Sequence, residues 1–541
     1  MQSFYLIFHI GWNYKKISLI CLILFLTACT KPTKEIDPKS ESIQTKLAIE
    51  TFTTGFQNIA ERYIKRISVE ELALEGLRGL SAIDSSVEVS KAGDSISIKS
   101  NIIKKSLYLA PKTHDARGWA QLTVAAINHS KRESITFRQT KMTHFYKVIF
   151  DGSLSLLDIF SRYRNKKEAQ QNQEKRSGFG GIGIQFKHTK NGIVVTRVYT
   201  ESPAFIAGIE LKDIITHIGG SSLKGLTTNE TSKLLRGKIG SIIDIRILRF
   251  NAATLKRNDP SALNFSLKRD RIYAPTTSYS LQNDIIYVQL RSFNNRTAKD
   301  LAFNLNHSLK KHRDTSGTKA KGIILDLKNN PGGLLKQAVK VANLFLIHGR
   351  ITSTRGRHPD SNHDYNAYGK DLTNGLPVVI LINGRSASAA EIVAAAMQDY
   401  ARGIVIGSTS YGKGTIQTVI KLENGGEIAI TWSRFKTPSG YSPHELGILP
   451  SICVEGSGQP SLANQYIQNT LKRKKQFMKI RLAWHSVTIN QKRDRGKLKT
   501  ICLTKHKESP IDIEIAKKLI LNPILYQKIR ALSPPVSAIK N

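Results

Sequence analysis

From Asn283 to Tyr400 the chain alternates two hydrophobic periods, and this limits the folds open to it more than any other feature. DIIYVQLRSF, KGIILDL and PVVILI are short runs dominated by Ile, Val and Leu, with the length and composition of strands buried on both faces. RTAKDLAFNLNHSLKKH, LLKQAVKVANLFL and SAAEIVAAAMQDY carry their apolar residues at helical spacing. The succession of strand and helix predicts an α/β domain with a largely buried sheet, in which reactive groups gather at strand ends. A chain of 541 residues, 40% of them apolar, can bury several such cores.

Upstream the pattern differs. FGGIGIQF, GIVVTRVY, DIITHIGG and IIDIRILRF read as strands, with ESPAFIAGI and NETSKLLRG as two short helices. Earlier still, FQNIAERYIKRISVEELALEGLRGL repeats helically through Ile59, Tyr63, Ile67, Leu72 and Leu74, and HFYKVIFDGSLSLLDIFSRY is a second helical segment. Residues 100–140 show no clear period, and RNKKEAQQNQEKRS reads as a polar linker at a domain boundary.

The formal net charge of +40 invites a nucleic-acid reading, which requires clustered cations. From Ser457 to the end there are 18 basic and 4 acidic residues, so part of the excess is a basic tail and the rest a general lysine bias. No aromatic-interleaved recognition motif accompanies it, and no nucleic acid is expected. The tail reads as solvated surface, or as a surface for an anionic membrane or envelope polymer.

At the N-terminus, Lys15 and Lys16 precede ISLICLILFLTAC, a secretory signal too short for a comfortable membrane span. Leu26-Thr27-Ala28-Cys29 resembles a bacterial lipobox, which implies lipidation of Cys29 and anchoring of an exported lipoprotein facing the periplasm; an ordinary cleaved signal is the alternative. TKPTKEIDPKSES would then be a tether. In an exported chain Cys453 and Cys502 either form one disulfide or remain two buried thiols.

Two serines and a lysine fall at predicted strand ends. GSTSYGKGT is one residue short of a phosphate-binding P-loop, but Gly414 replaces the magnesium-binding hydroxyl and the following TIQTVIKL reads as a strand rather than a helix. No nucleotide, metal or other cofactor is expected. In NGRSASAAE, Ser386 or Ser388 could be a helix cap or a nucleophile, without the G-x-S-x-G elbow of lipases. Lys413 could be an exposed turn residue, or a general base if an apolar site holds it neutral. No acidic residue lies near it in sequence, and Gln417 could orient its amine without charging it.

Two resemblances weigh on these choices. Gly181-Ile182-Gly183-Ile184, with Ser202-Pro203-Ala204, Ala207-Gly208 and Asp213-Ile214-Ile215, is similar to the PDZ domain and its carboxylate-binding loop. Leu325 to Gly333, Ser386 to Val393, Tyr411 to Gln417 and Lys436 to Gly440 resemble, in order, the carboxy-terminal processing (tail-specific) serine proteases. That resemblance implies Ser388 as nucleophile, Lys413 as base, Gln417 as its helper, and Ala389, Gly332 and Gly333 as oxyanion donors. Some relatives need an aspartate where Asp399 stands, which reads here as structural. It also implies protein substrates with free apolar C-termini, captured by the PDZ domain. Ser451 departs from the family pattern, which has an acid there.

The expected fold is multidomain α/β. A signal (1–28) and lipoprotein tether (29–44) precede an N-terminal mainly helical region (45–175). A β-barrel-like PDZ domain (176–272), an α/β Ser-Lys protease core (273–456) and a basic extension (457–541) follow. An inactive PDZ scaffold of the envelope is the rival reading.

Overall fold

The computed structural model describes residues 43–101, 105–250, 260–454, 459–506 and 509–533. The signal run, Cys29 and all but the end of the tether lie outside them. Two compact units form. One contains the described residues up to Glu61 with Arg66–Asn165 and Ile420–Ile428; the other contains Arg62–Lys65, Lys166–Val419 and the described residues from Ala429.

In the first unit the long helical repeat is two helices, Ile43–Arg62 and Val69–Arg78. Ser68 starts the second, accepting from Glu71 N–H while the Glu71 carboxylate receives Ser68 N–H. Met142–Ser155 packs closely against it, because a Cβ on Gly152 would lie 2.6 Å from Glu75 O and one on Gly79 2.2 Å from Val148 O. Phe52, Phe56, Phe150 and Tyr163 fill the interior. The unparsed stretch resolves into the strand Ser106–Leu109 and the helix Ala116–Glu133, whose Trp119 is fully buried. Ser106–Leu109 closes an antiparallel sheet with Glu88–Ala92 and Ser95–Lys99, which the helical reading of this region did not anticipate.

In the second unit the presumed polar linker is a helix, Lys166–Ser177, burying only Ala169. Its Glu, Gln and Lys residues are good helix formers, so intrinsic propensity prevails where no apolar stripe marks the period.

Next comes an antiparallel sheet in the order Ser261–Lys268, Ile242–Arg249, Ile214–Ile218, Gly192–Val198, Ile184–Thr189. Alternate isoleucines, Ile243, Ile245 and Ile247, point into its core. Buried Asp213 is held by Arg249 through two hydrogen bonds of 2.8 and 2.7 Å.

The third element of organisation is a six-stranded sheet: Thr277–Gln282, Ile285–Leu290, Gly322–Asp326, Val378–Ile382, Ile404–Gly407, Ile452–Cys453. Its first pair is antiparallel and the rest parallel. The helices Thr297–Ser316, Leu335–Ala342 and Ala389–Asp399 cover one face. The other face is covered by Ala463–Lys472, Ile511–Leu521 and Pro523–Arg530, all from the basic extension. The extension is therefore a layer of this domain, joined to it also by a Cys453–Cys502 disulfide. No helix among the described residues is long and apolar enough to cross a membrane.

Candidate active site

Three neighbouring parallel strands end side by side, and each runs into a loop carrying candidate residues. Gly322–Asp326 leads to the Pro331-Gly332-Gly333 turn, Val378–Ile382 to Ser386 and Ser388, and Ile404–Gly407 to Lys413. Carboxyl ends of parallel strands are where such sheets place their ligands.

The middle loop separates the two serines. Ser386 is fully buried and its hydroxyl donates to Leu327 O at 2.8 Å, while accepting Asn383 N–H at 2.9 Å. Ser388 is half-buried and immediately precedes the helix Ala389–Asp399, with φ 56° and ψ −113°. A non-glycine residue held there carries about 1–3 kcal/mol of backbone strain, which the surroundings must overcome. The neighbouring turn does part of this. A Cβ on Gly332 would lie 2.8 Å from Ser388 Cβ and 2.9 Å from Ala389 N, so only glycine lets the turn approach. Asn330 O accepts Ala387 N–H at 2.9 Å.

A residue to which the sequence reading assigned no role joins the loops. Glu391, in the first turn of that helix, is 1% exposed. Its Oε2 receives the N–H of Ser388 at 2.8 Å and of Lys413 at 2.9 Å, and its Oε1 receives Gly412 N–H at 2.8 Å and the Ser410 hydroxyl. One carboxylate oxygen thus ties both candidate residues of the dyad to the same point. Burial pushes the Glu391 carboxyl above its ordinary range, and its four donors oppose that shift. The signal was present, since Ser388-Ala389-Ala390-Glu391 has the spacing of a capping box.

The remaining candidates take up mixed positions. Lys413 is half-buried in the loop before the strand Thr415–Lys421. Gln417, on that strand, donates through Nε2 to the hydroxyls of Thr415 and Thr431, both at 3.1 Å, which fixes its amide. The Gly332 N–H donates to Asn330 Oδ1 at 2.8 Å, so an oxyanion could use it only by displacing that bond. Asp399, at the far end of the Ser388 helix, receives the N–H and hydroxyl of Ser439 at 3.0 and 2.7 Å, bracing the Thr437 to Gly440 turn.

In the antiparallel domain, Gly181-Ile182-Gly183-Ile184 borders a cavity completed by Phe179, Phe186, Leu235 and Arg236. The strand Ile184–Thr189 and the helix Thr228–Leu235 form its sides. Gly183, at φ +86°, packs so closely on Ser202 that a Cβ would approach Ser202 Cβ to 2.2 Å.

The Peptidase family S41 sequence model matches residues 284–454 and the PDZ domain model residues 180–262. The carboxy-terminal-processing protease of Bartonella bacilliformis is 38% identical over 306 residues, covering 56% of this chain and 68% of that protein. The carboxy-terminal processing protease CtpA of Bacillus subtilis is 32% identical over 330 residues, covering 59% and 67%. A solved photosystem II D1 C-terminal processing protease is 22% identical, with a TM-score of 0.34 over 70% of this chain and 92% of that one. The chain belongs to peptidase family S41, as a carboxy-terminal processing serine protease with a PDZ domain.

Proposed function

We propose that this protease cleaves proteins near their C-termini with a Ser388-Lys413 dyad. The observation that carries the reading is the Glu391 tie, by which one oxygen receives the backbone N–H of both residues at adjoining strand ends. Neutral Lys413 accepts the proton of Ser388 Oγ as that oxygen attacks the peptide carbonyl. The tetrahedral oxyanion is received by the N–H groups of Ala389 and Gly333, given that the Gly332 N–H is engaged with Asn330. The ammonium of Lys413 then protonates the departing amine, leaving an acyl-enzyme that water hydrolyses by the same base. Gln417 Oε1 orients the lysine between these steps.

The PDZ cavity takes the apolar C-terminal residue of the substrate, whose carboxylate meets the glycine-loop N–H groups and whose backbone adds to the strand Ile184–Thr189. Cys29, as the lipidated first residue of the mature chain, anchors it on the export side of a membrane; the lipobox-like sequence supports this.

The deciding experiment is cleavage of an unfolded protein with an apolar tail by the parent, Ser388→Ala and Lys413→Ala forms. Both variants should lose at least about 1,000-fold in kcat with their folding intact. Undiminished cleavage by Lys413→Ala refutes the dyad, and a parent that binds the tail without cutting it would favour the scaffold reading.

A further inference from the structure

Both family matches end by residue 454, yet the chain beyond them reaches the loop that carries Lys413. Glu391 holds that loop through the N–H groups of Gly412 and Lys413. The segment 442–448 holds it as well. Glu445 N–H donates to Gly412 O at 2.7 Å and Ile448 N–H to the Ser410 hydroxyl at 2.7 Å. A Cβ on Gly414 would come within 2.4 Å of His444 N, so the backbone on either side of Lys413 rests directly on this wall.

The wall is in turn held from the extension. Arg495, in the helix Lys492–Lys499, is 2% exposed, and its Nη2 donates to Ser442 O at 2.8 Å and to His444 O. Its Nη1 donates to Val487 O at 3.3 Å, within the extension itself. One guanidinium therefore fixes two carbonyls flanking Pro443 and anchors them to the extension. A rigid fork of donors suits that task, and no other side-chain type supplies as many. Next to it, Thr409 donates its hydroxyl to Cys502 O at 2.6 Å, and the Cys453–Cys502 bond ties that stretch to the edge strand of the sheet.

We propose that Arg495 is a positioning residue for Lys413, acting through the 442–445 backbone that supports Gly412 and Gly414. The basic extension is then a working part of the peptidase. The inference rests on Lys413 being the general base, and it concerns what keeps that base in place.

The test uses the full-length protein as Arg495→Ala and Arg495→Lys, with the exposed Lys474→Ala as control. Cleavage kinetics, melting temperature and backbone hydrogen exchange are measured together. Arg495→Ala should lower kcat by about 10- to 100-fold while KM stays within about twofold, because misplacing a base damages the chemical step rather than PDZ capture. Exchange at Gly412 and Lys413 should accelerate while the PDZ strands exchange as before. Arg495→Lys should recover part of kcat, and Lys474→Ala should match the parent.

Unchanged kcat and unchanged exchange in Arg495→Ala overturn the proposal. So does a loss in which exchange rises across the whole molecule, since that is general destabilisation; if the alanine variant does not fold, Arg495→Lys is judged by the same criteria. Retained cleavage by Lys413→Ala would instead refute the base assignment, while exchange at 412–414 would still report whether Arg495 holds the loop.

Discussion

Glu391 concentrates more of the site's organisation than either residue it joins. Four donors converge on its two carboxyl oxygens. Glu391→Gln keeps the shape but turns an NH2 toward two of those donors, leaving buried groups unmatched. Stability should fall by about 1–3 kcal/mol, and kcat should fall while tail binding persists, as read by urea melts and cleavage kinetics. The two serines should separate in the same assays. Ser386→Ala loses the bond to Leu327 O and should cost about 1 kcal/mol with residual cleavage, whereas Ser388→Ala should abolish cleavage without that loss of stability. Sequence spacing alone left these serines equivalent. What separates them is burial: Ser386 lies inside the turn, and Ser388 is held in a positive-φ conformation at its surface.

Among elements, the helix Thr228–Leu235 flanks the PDZ cavity and starts with a capping box in which Thr227 accepts Glu230 N–H. Thr227→Ala should cost about 1 kcal/mol in thermal melts and weaken binding of a C-terminal peptide. The Cys453–Cys502 bond spans a sequence separation of 49 and fastens the extension to the sheet. Replacing both cysteines with serine should lower stability by about 2–4 kcal/mol, measured as an earlier urea midpoint. The strands and helices of the protease sheet were legible because their apolar residues recur with strong periods. The helix Lys166–Ser177 and the sheet of Glu88–Ala92, Ser95–Lys99 and Ser106–Leu109 were not. One buries a single residue and imprints no period, and the strands of the other are only four or five residues long, so the alternation of Ile96 and Ile98 is too brief to stand out.

At the scale of the whole molecule, acid should loosen the packing of the extension's helix Lys474–Ser486 on the protease domain. His485 packs on Tyr441 with ring centroids 4.8 Å apart, and burial pulls its pKa from 6.5 to about 4. The unfolded chain takes up a proton that the folded one refuses, so stability present above pH 6.5 is lost as the pH falls toward 4. The loss is up to about 3 kcal/mol, and His485→Phe should flatten that part of the pH-stability curve. The proposed Cys29 anchor belongs to this scale too. Cys29→Ala should move the protein from the membrane to the soluble fraction on cell fractionation. The sequence by itself determined the strand and helix order of the protease sheet, the presence of a PDZ domain and the peptidase family, because periodicity, glycines and short motifs are local properties. Only the tertiary structure decided that the extension covers the second face of the sheet, that Cys453 meets Cys502, that Glu391 accepts from the Lys413 loop, and that Arg495 holds the carbonyls of Ser442 and His444. These depend on which distant segments pack together, and a buried carboxylate or guanidinium is identified by the donors and acceptors that surround it, which no sequence spacing specifies.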